Sequence, residues 1–400
     1  MSERGPAPGT AADLESRGLF AQLLDPNLRL PERPVFLPDL DVFEMPDGLG
    51  FQFRGSEAPV LLRGRRVASI VQYLRISLDG VCTIERLLSG APSDVPSAAL
   101  ARTLLLLHSK GVLVSAEAPV ATATPSPADA SSIDSETLNR QQLYWGRHLG
   151  LTRSASSSKE VERRLASARI VLVGTGIFGS VTSDLLIRSG FQHIKVLAWN
   201  DDGVLERSAD KTPVPLLGFH RLPSTSFDPA LLLLSDWCDG ADLLITATCD
   251  APSALFHSIN DLLVHSRTPA LYGNTDGSAI DIGPLVQPYE TACYACLALR
   301  RQSAQDFPIE SELYEEHRAT ERDSSERVLV GEAVWPATLA ASLLVGEACR
   351  FISGLAPATL IDTVIRVLPV SGTMEQNHIV RVPRCPTCFR GEIPSAKIET

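Results

Sequence analysis

The chain of 400 residues is 44% hydrophobic and 21% charged, with a formal net charge of −11 and a pI near 5.3. This length and apolar content support two or three domains with full cores, and the acidic balance argues against general attraction to nucleic acid or anionic membranes. The start, MSERGPAPGTAADLESRGLF, has acids and prolines where an export signal needs a basic start and an apolar run; the apolar stretch 333–348 contains Pro336 and Glu347 and is too short to span a bilayer. A cytoplasmic protein is expected, with residues 1–30 irregular or disordered.

Between Pro34 and Val114 the pattern is that of a small module. DVFEMPDGLGFQFRG reads as two strands around a Pro-Asp-Gly turn, and APVLLRG as a third. Three helices follow: RRVASIVQYLRISLDG, then TIERLLSG with Thr83 as N-cap, then SAALARTLLLLHSKGVLV, begun by Ser97 and ended by Gly111. The order βββααα places a domain at 31–116. Ala, Pro, Thr and Ser dominate 116–132, which has no apolar face to bury. Residues 117–137 are therefore expected to link this module to a second domain over 138–400.

That second domain alternates. LNRQQLYWGRHLG and SKEVERRLASA are helical in pattern and lead into a strand at Ile170–Val173; HIKVLAW and ADLLITATCD continue the alternation of a parallel sheet with crossover helices. Gly174, Gly176 and Gly179 form G-x-G-x-x-G between the first strand and the helix SVTSDLLIRSG, a turn whose backbone amides and helix N-terminus suit phosphate. Close packing of strand on helix explains the same glycines without a ligand. A dinucleotide site also needs an acid about 20 residues on. Ala198 stands at the end of the second strand, leaving Asp201 or Asp202 in the loop. Residues 306–327 hold eight acids and three arginines, the composition of a mobile surface segment. A helix near 335–353 and strands in DTVIRVLPV and NHIVRV then carry the chain to its last cysteine pair.

Two Cys-x-x-Cys pairs, Cys293/Cys296 and Cys385/Cys388, are separated by 88 residues, 297 to 384. Each alone fits a redox motif or buried thiols. Together they supply four thiolates, the set of a closed tetrahedral structural zinc site with no open position for water. The chain would leave, build structure, and return to close it. Cys82, Cys238, Cys249 and Cys349 are scattered in apolar contexts, as reduced thiols are.

Four stretches in order, LNRQ with Arg140, VLVGTGIFGS, TATCDAPSALFHSIND with Asp250, and CYACL with the closing PRCPTC, resemble the E1-like superfamily of ThiF/MoeB-type enzymes, which adenylate a C-terminal carboxylate. The resemblance covers roughly 138–390. It implies a Rossmann-type parallel-sheet domain whose four cysteines hold structural Zn2+, with Arg140, the three glycines and Asp250 around a nucleotide. Adenylating members follow strand two with an acid, an Asn-Leu-x-Arg-Gln stretch and a lysine. Here the segment reads AWNDDGVLERSADKTPV, with Ala198 in place of the acid, no Arg-Gln pair, and Lys211 as the available lysine. Nucleotidyl transfer depends on placed cations, so the nucleotide site is expected to be vestigial and ATP to bind weakly or not at all. Arg140 and Asp250 then remain for structure, Asp250 as a cap of the following helix.

Residues 31–116, with LLRGRRVASIVQYLRISLDG leading to LLLLHSKGVLV, are similar to the winged-helix peptide-recognition element, the PqqD-like fold of enzymes that modify ribosomal peptides. That likeness implies a leader peptide added as a strand along Val60, Leu61 and Leu62 and packed on the third helix near Leu104 and Leu107. DNA binding, the usual rival for a winged helix, requires a basic excess, whereas 31–116 holds nine Arg/Lys and nine Asp/Glu. A recognition element joined to a degenerate E1-like domain resembles the leader-binding partner proteins of thiazole/oxazole-modified peptide (TOMM, bacteriocin) cyclodehydratase systems, where a separate YcaO-type protein forms the azolines with ATP. The resemblance implies a delivery subunit with no assigned catalytic residue, and allows a homodimer. Competing readings are an active adenylating enzyme using Arg140, the glycine turn and Asp250, and a nicotinamide-dependent oxidoreductase resting on the glycines and Asp201.

Overall fold

The computed structural model describes residues 30–37, 40–45, 48, 50–55, 59–116, 135–149, 155, 157–199, 218–222, 228–249, 251–275, 278–304 and 331–389. They fall into two compact units, Met1–Glu162 with Gly354–Ala356, and Arg163–Ser353 with Pro357–Thr400. Among the described residues no helix is long and apolar enough to cross a membrane.

The first unit contains β1 (Pro34–Phe36), β2 (Asp41–Glu44), β3 (Gly50–Arg54), β4 (Val60–Arg63), α1 (Val67–Ser77), α2 (Ile84–Ser89), α3 (Ser97–Ser109), β5 (Leu113–Ser115) and α4 (Ser135–Arg147). The expected three strands form an antiparallel sheet in the order β2-β3-β4, and the three expected helices follow it. Thr83 caps α2, its Oγ1 accepting from Arg86 N at 3.4 Å. β1 and β5, which pair antiparallel and tie the ends of the module together, have no signature in the pattern; three residues are too few for alternation to show. Alternation does govern β4, where Val60 and Leu62 are buried while Leu61 and Arg63 face out. The apolar faces of the helices, among them Leu74, Leu87, Leu100, Leu104 and Leu107, meet Phe53, Val60 and Leu62 in one core.

α5 (Ser158–Ser167) leads into the second unit, built as β6 (Arg169–Gly174), α6 (Gly176–Arg188), β7 (His193–Trp199), β8 (Gly218–Leu222), α7 (Asp228–Cys238), β9 (Leu243–Cys249), α8 (Ser253–Ser266), β10 (Ala270–Thr275), β11 (Ile280–Val286), α9 (Tyr294–Ala304), α10 (Val334–Ser353), β12 (Thr363–Leu368) and β13 (Thr373–His378). Eight strands make one sheet in the order β13-β12-β11-β10-β9-β6-β7-β8. It is parallel from β10 to β8, as expected, and antiparallel from β10 to β13. The switch is forced by chain length. A parallel crossover needs a dozen residues or more, and the link from Thr275 to Ile280 is far shorter.

Helices cover both faces, which explains strands such as β9 that are buried at nearly every position. Val171 and Val173 of β6 pack with α7, α8 and the cysteines, while α6 and α10 pack against each other, α6 on β6 and β9 and α10 on β10 and β11. The sequence pattern puts the second strand of the last hairpin at NHIVRV; the ladder instead spans Thr373–His378. The residues after it leave the sheet because Ile379 N bonds Asp362 O (2.8 Å) and Val382 N turns to a cysteine sulfur.

α10 carries a fully buried carboxylate, Glu347. Its Oε2 accepts from Arg350 Nη2 (2.6 Å) and Thr359 Oγ1 (2.9 Å), and its Oε1 from Leu360 N (2.6 Å). The group thereby fixes the chain that enters β12. Removing it leaves the Leu360 amide and the Arg350 head without their acceptor, so Glu347→Ala should lower the unfolding free energy by about 3 kcal/mol in a denaturant titration.

Candidate metal centre and glycine turn

Val286 pairs with Ala270, the first residue of β10, so the loop after β11 emerges at the amino end of the parallel strands. There Cys293 precedes α9 and Cys296 lies in its first turn, where a helix N-terminus favours thiolate charge. From the other side, Arg384 adopts a left-handed conformation (φ 60°) just before Cys385. All four cysteines are buried, with sulfurs within 4.8 Å of one another. Sγ separations are 3.8 Å for Cys293–Cys296, 3.7 Å for Cys293–Cys385 and 3.6 Å for Cys296–Cys388. Sulfurs about 2.3 Å from a zinc ion at the centre of a tetrahedron lie about 3.8 Å apart, whereas a disulfide requires about 2.05 Å. The set could hold a metal ion such as zinc.

The surroundings fit a cluster that is negative when loaded. Val382 N points at Cys296 Sγ (3.4 Å), and the Arg381 guanidinium bonds Cys388 O (3.1 Å) and Tyr289 O (2.9 Å) with Cys388 Sγ at 3.9 Å. Such donors offset the surplus charge of four thiolates on a dication. Asn260 Oδ1 accepts from Tyr294 N (2.9 Å) and Asp362 Oδ1 from Ala292 N (2.6 Å), fixing both sides of the first pair. The Cys293 thiol donates to Cys296, which lowers the pKa of Cys296 and raises that of Cys293. Arg381 and Asp362 are invisible in the sequence, because nothing local marks a residue that serves a distant sulfur.

The glycine turn lies at the opposite, carboxyl end of the strands, Gly174 pairing with Ala198 and Ala247. A Cβ on Gly179 would lie 3.0 Å from Gly174 Cα and 3.3 Å from Ala247 O, so the third glycine serves close helix–strand packing. Gly176 has φ +56°. Ahead of it, the amides of Ile177 and Phe178 donate to Glu332 Oε2 (2.7 Å) and Oε1 (3.0 Å). A methyl group on Gly176 would collide with Glu332 Oε2. Glu332 also borders a cavity of about 370 Å³ lined chiefly by Phe178, Ile280, Trp335, Pro336 and Val370. No sequence signal points to Glu332, which is 155 residues from its partner amide. Arg140 is exposed on α4 in the first unit; Asp250, Asp201, Asp202 and Lys211 lie outside the described residues.

Of the peptide-contact residues expected in the first unit, Leu61 is 46% exposed, while Val60 and Leu62 point inward. Leu104 and Leu107 are fully buried in the module's own core. Among the described residues no strand pairs with the outer edge of β4.

A mostly parallel sheet, a glycine turn after its first strand and a four-cysteine cluster together make a Rossmann-type α/β fold, the fold class expected from the sequence. No family model matches the chain, and no curated protein matches it. Solved structures do. The microcin C7 biosynthetic enzyme MccB in complex with N-formylated MccA superposes with a TM-score of 0.61 at 15% identity, over 89% of this chain and 99% of that one. E. coli MccB with ATP gives 0.60 at 16% identity over the same shares. The heterocyclase TruD gives 0.55 at 18% identity, over 90% of this chain and 43% of that one. Shares of 89% and 90% exceed what the second unit alone could supply, so the likeness in fold extends into the first.

The cluster yields a direct expectation. Protein prepared anaerobically should contain one zinc ion per chain by elemental analysis, and Cys385→Ser should lose it together with several degrees of melting temperature, since thiolate ligation is coupled to folding. Cys82→Ala and Cys349→Ala should keep their metal.

Proposed function

We propose that this chain binds the leader of a ribosomally made precursor peptide and presents it to a YcaO-type, ATP-dependent cyclodehydratase that forms azoline heterocycles. Residues 31–116 are the recognition element, 117–137 a linker, and 138–400 an E1-like scaffold clasped by structural zinc, all acting in the cytoplasm. The observation that carries this reading is the edge of β4, which no strand pairs with among the described residues and on which Leu61 is exposed. An edge strand offers unpaired amides and carbonyls to an extended peptide, and side chains at alternate positions supply specificity.

Charge supports the same edge. Arg63, Arg65 and Arg66 are exposed on and just after β4, whereas Asp41 and Glu44 are exposed on β2 at the other edge of the sheet. An acidic leader is favoured at β4. Neighbours in fold that include a heterocyclase and an enzyme solved with N-formylated MccA agree with work on a peptide. This chain spans less than half of that heterocyclase, which suits a division of labour with a separate cyclodehydratase.

A second reading, adenylation of a peptide's C-terminal carboxylate, is favoured by the likeness to MccB, solved with ATP and covered over 99% of its length. Ala198 in place of the acid, the lack of an Arg-Gln pair in the sequence after β7, and the carboxylate in the glycine turn weigh against it. ATP–pyrophosphate exchange dependent on Arg140 would establish adenylation in place of delivery.

Delivery is tested with the full chain and a fluorescently labelled leader from the adjoining precursor gene. Anisotropy should show saturable binding that weakens at least about tenfold in Leu61→Asp, and that falls with added salt. Absence of binding at high micromolar protein would rule the delivery role out.

A further inference from the structure

The first amides of a helix have no acceptor within it, and two of them aimed at one point make a natural seat for an oxyanion. In α6 those two, on Ile177 and Phe178, each hold one oxygen of Glu332. Extending the reading above that leaves nucleotide chemistry to a partner protein, we propose that Glu332 is a built-in occupant of the glycine turn, a carboxylate that closes the turn to the phosphates of a nucleotide.

Three observations converge on this. Thr175, at the cap position, makes no side-chain cap to α6; its hydroxyl instead accepts from Cys249 N at 2.6 Å. The capping role has passed to a residue far along the chain. Gly176, whose missing side chain would admit a phosphate oxygen, has that space filled by Glu332 Oε2. The carboxylate is also firmly placed. Glu332 lies two residues before α10, which packs along α6, so helix and carboxylate are fixed to the same framework. Two like charges cannot share this seat, and a phosphate reaches the amides only if Glu332 leaves.

The wider wall of the turn fits an occluded site. The neighbouring cavity is lined mainly by Phe178, Trp335, Pro336, Ala337 and Val370. Apart from Glu332, which is itself anionic, the described residues of its wall include no charged side chain to receive a polyphosphate.

The test uses the full chain, titrated calorimetrically with inorganic pyrophosphate and with Mg-ATP at low salt. Wild type should show no saturable heat to about 10 mM, and Glu332→Ala should gain pyrophosphate affinity by about tenfold, within the range of a partly buried charge at a helix N-terminus. Glu332→Gln keeps the volume and loses the charge. If the alanine variant fails to fold, a pyrophosphate-dependent rise in melting temperature in the glutamine variant, absent in wild type, supports the proposal equally. Wild-type binding as tight as that of Glu332→Ala would overturn it, as would folded variants that bind no better than wild type. Labelled leader is titrated in parallel. Absence of leader binding by the wild-type chain would remove the delivery reading without touching this one, and equal leader binding in wild type and variant beside a gain in pyrophosphate affinity is the expected pair of results.

Discussion

Cys293 and Cys385 are 92 positions apart in sequence and 3.7 Å apart in space. Joining the ends of a loop near 100 residues costs the chain about 4 to 5 kcal/mol of conformational freedom. Four thiolates closing on one zinc ion supply about 10 to 16 kcal/mol. A metal held there would outweigh that cost, and α9, α10, β12 and β13 lie between the two cysteine pairs it would join. The same closure explains the departure from the ladder after His378, since Ile379 to Arg384 must reach the sulfurs instead of extending the sheet.

Position decides what a metal held there could do. The cysteines gather at the amino end of the parallel strands, whereas ligands of open α/β sheets sit at the carboxyl end, where this chain places the glycine turn and the cavity beside it. An ion held by all four buried sulfurs would have no position left for water or substrate. Such a centre would serve the framework and leave chemistry to the other end of the strands.

What is legible in the sequence is local. Strand and helix patterns in 34–114, the cap at Thr83, the glycine turn and the paired cysteines are each set by neighbours within a few residues, and each lies close to where its pattern puts it. The cysteines are the exception that joins distant segments, because four identical ligands announce a shared metal. The reversal from β10 to β11 is not legible in the strand pattern, because it follows from the short link after Thr275. Nor is Glu332; a lone acid before an apolar helix is ordinary until the fold brings Ile177 and Phe178 to it. Leu104 and Leu107 show the converse limit, since an apolar helix looks the same whether its leucines line a groove or, as here, fill a core.

The β12–β13 hairpin runs the height of the sheet. Its base, at Thr363 and His378, stands beside the cysteines, and its turn, through Pro369 and Val370, forms part of the cavity wall at the other end. Six paired residues at about 3.3 Å each give a ribbon about 20 Å long, with all six residues of β13 exposed. One long side of that ribbon is fixed to β11, where Ile280, Asp281 and Ile282 pair with Val367, Arg366 and Ile365, and among the described residues no strand lies beyond β13. The strip that carries part of the cavity wall is therefore also the border of the sheet, braced along one side and bare along the other.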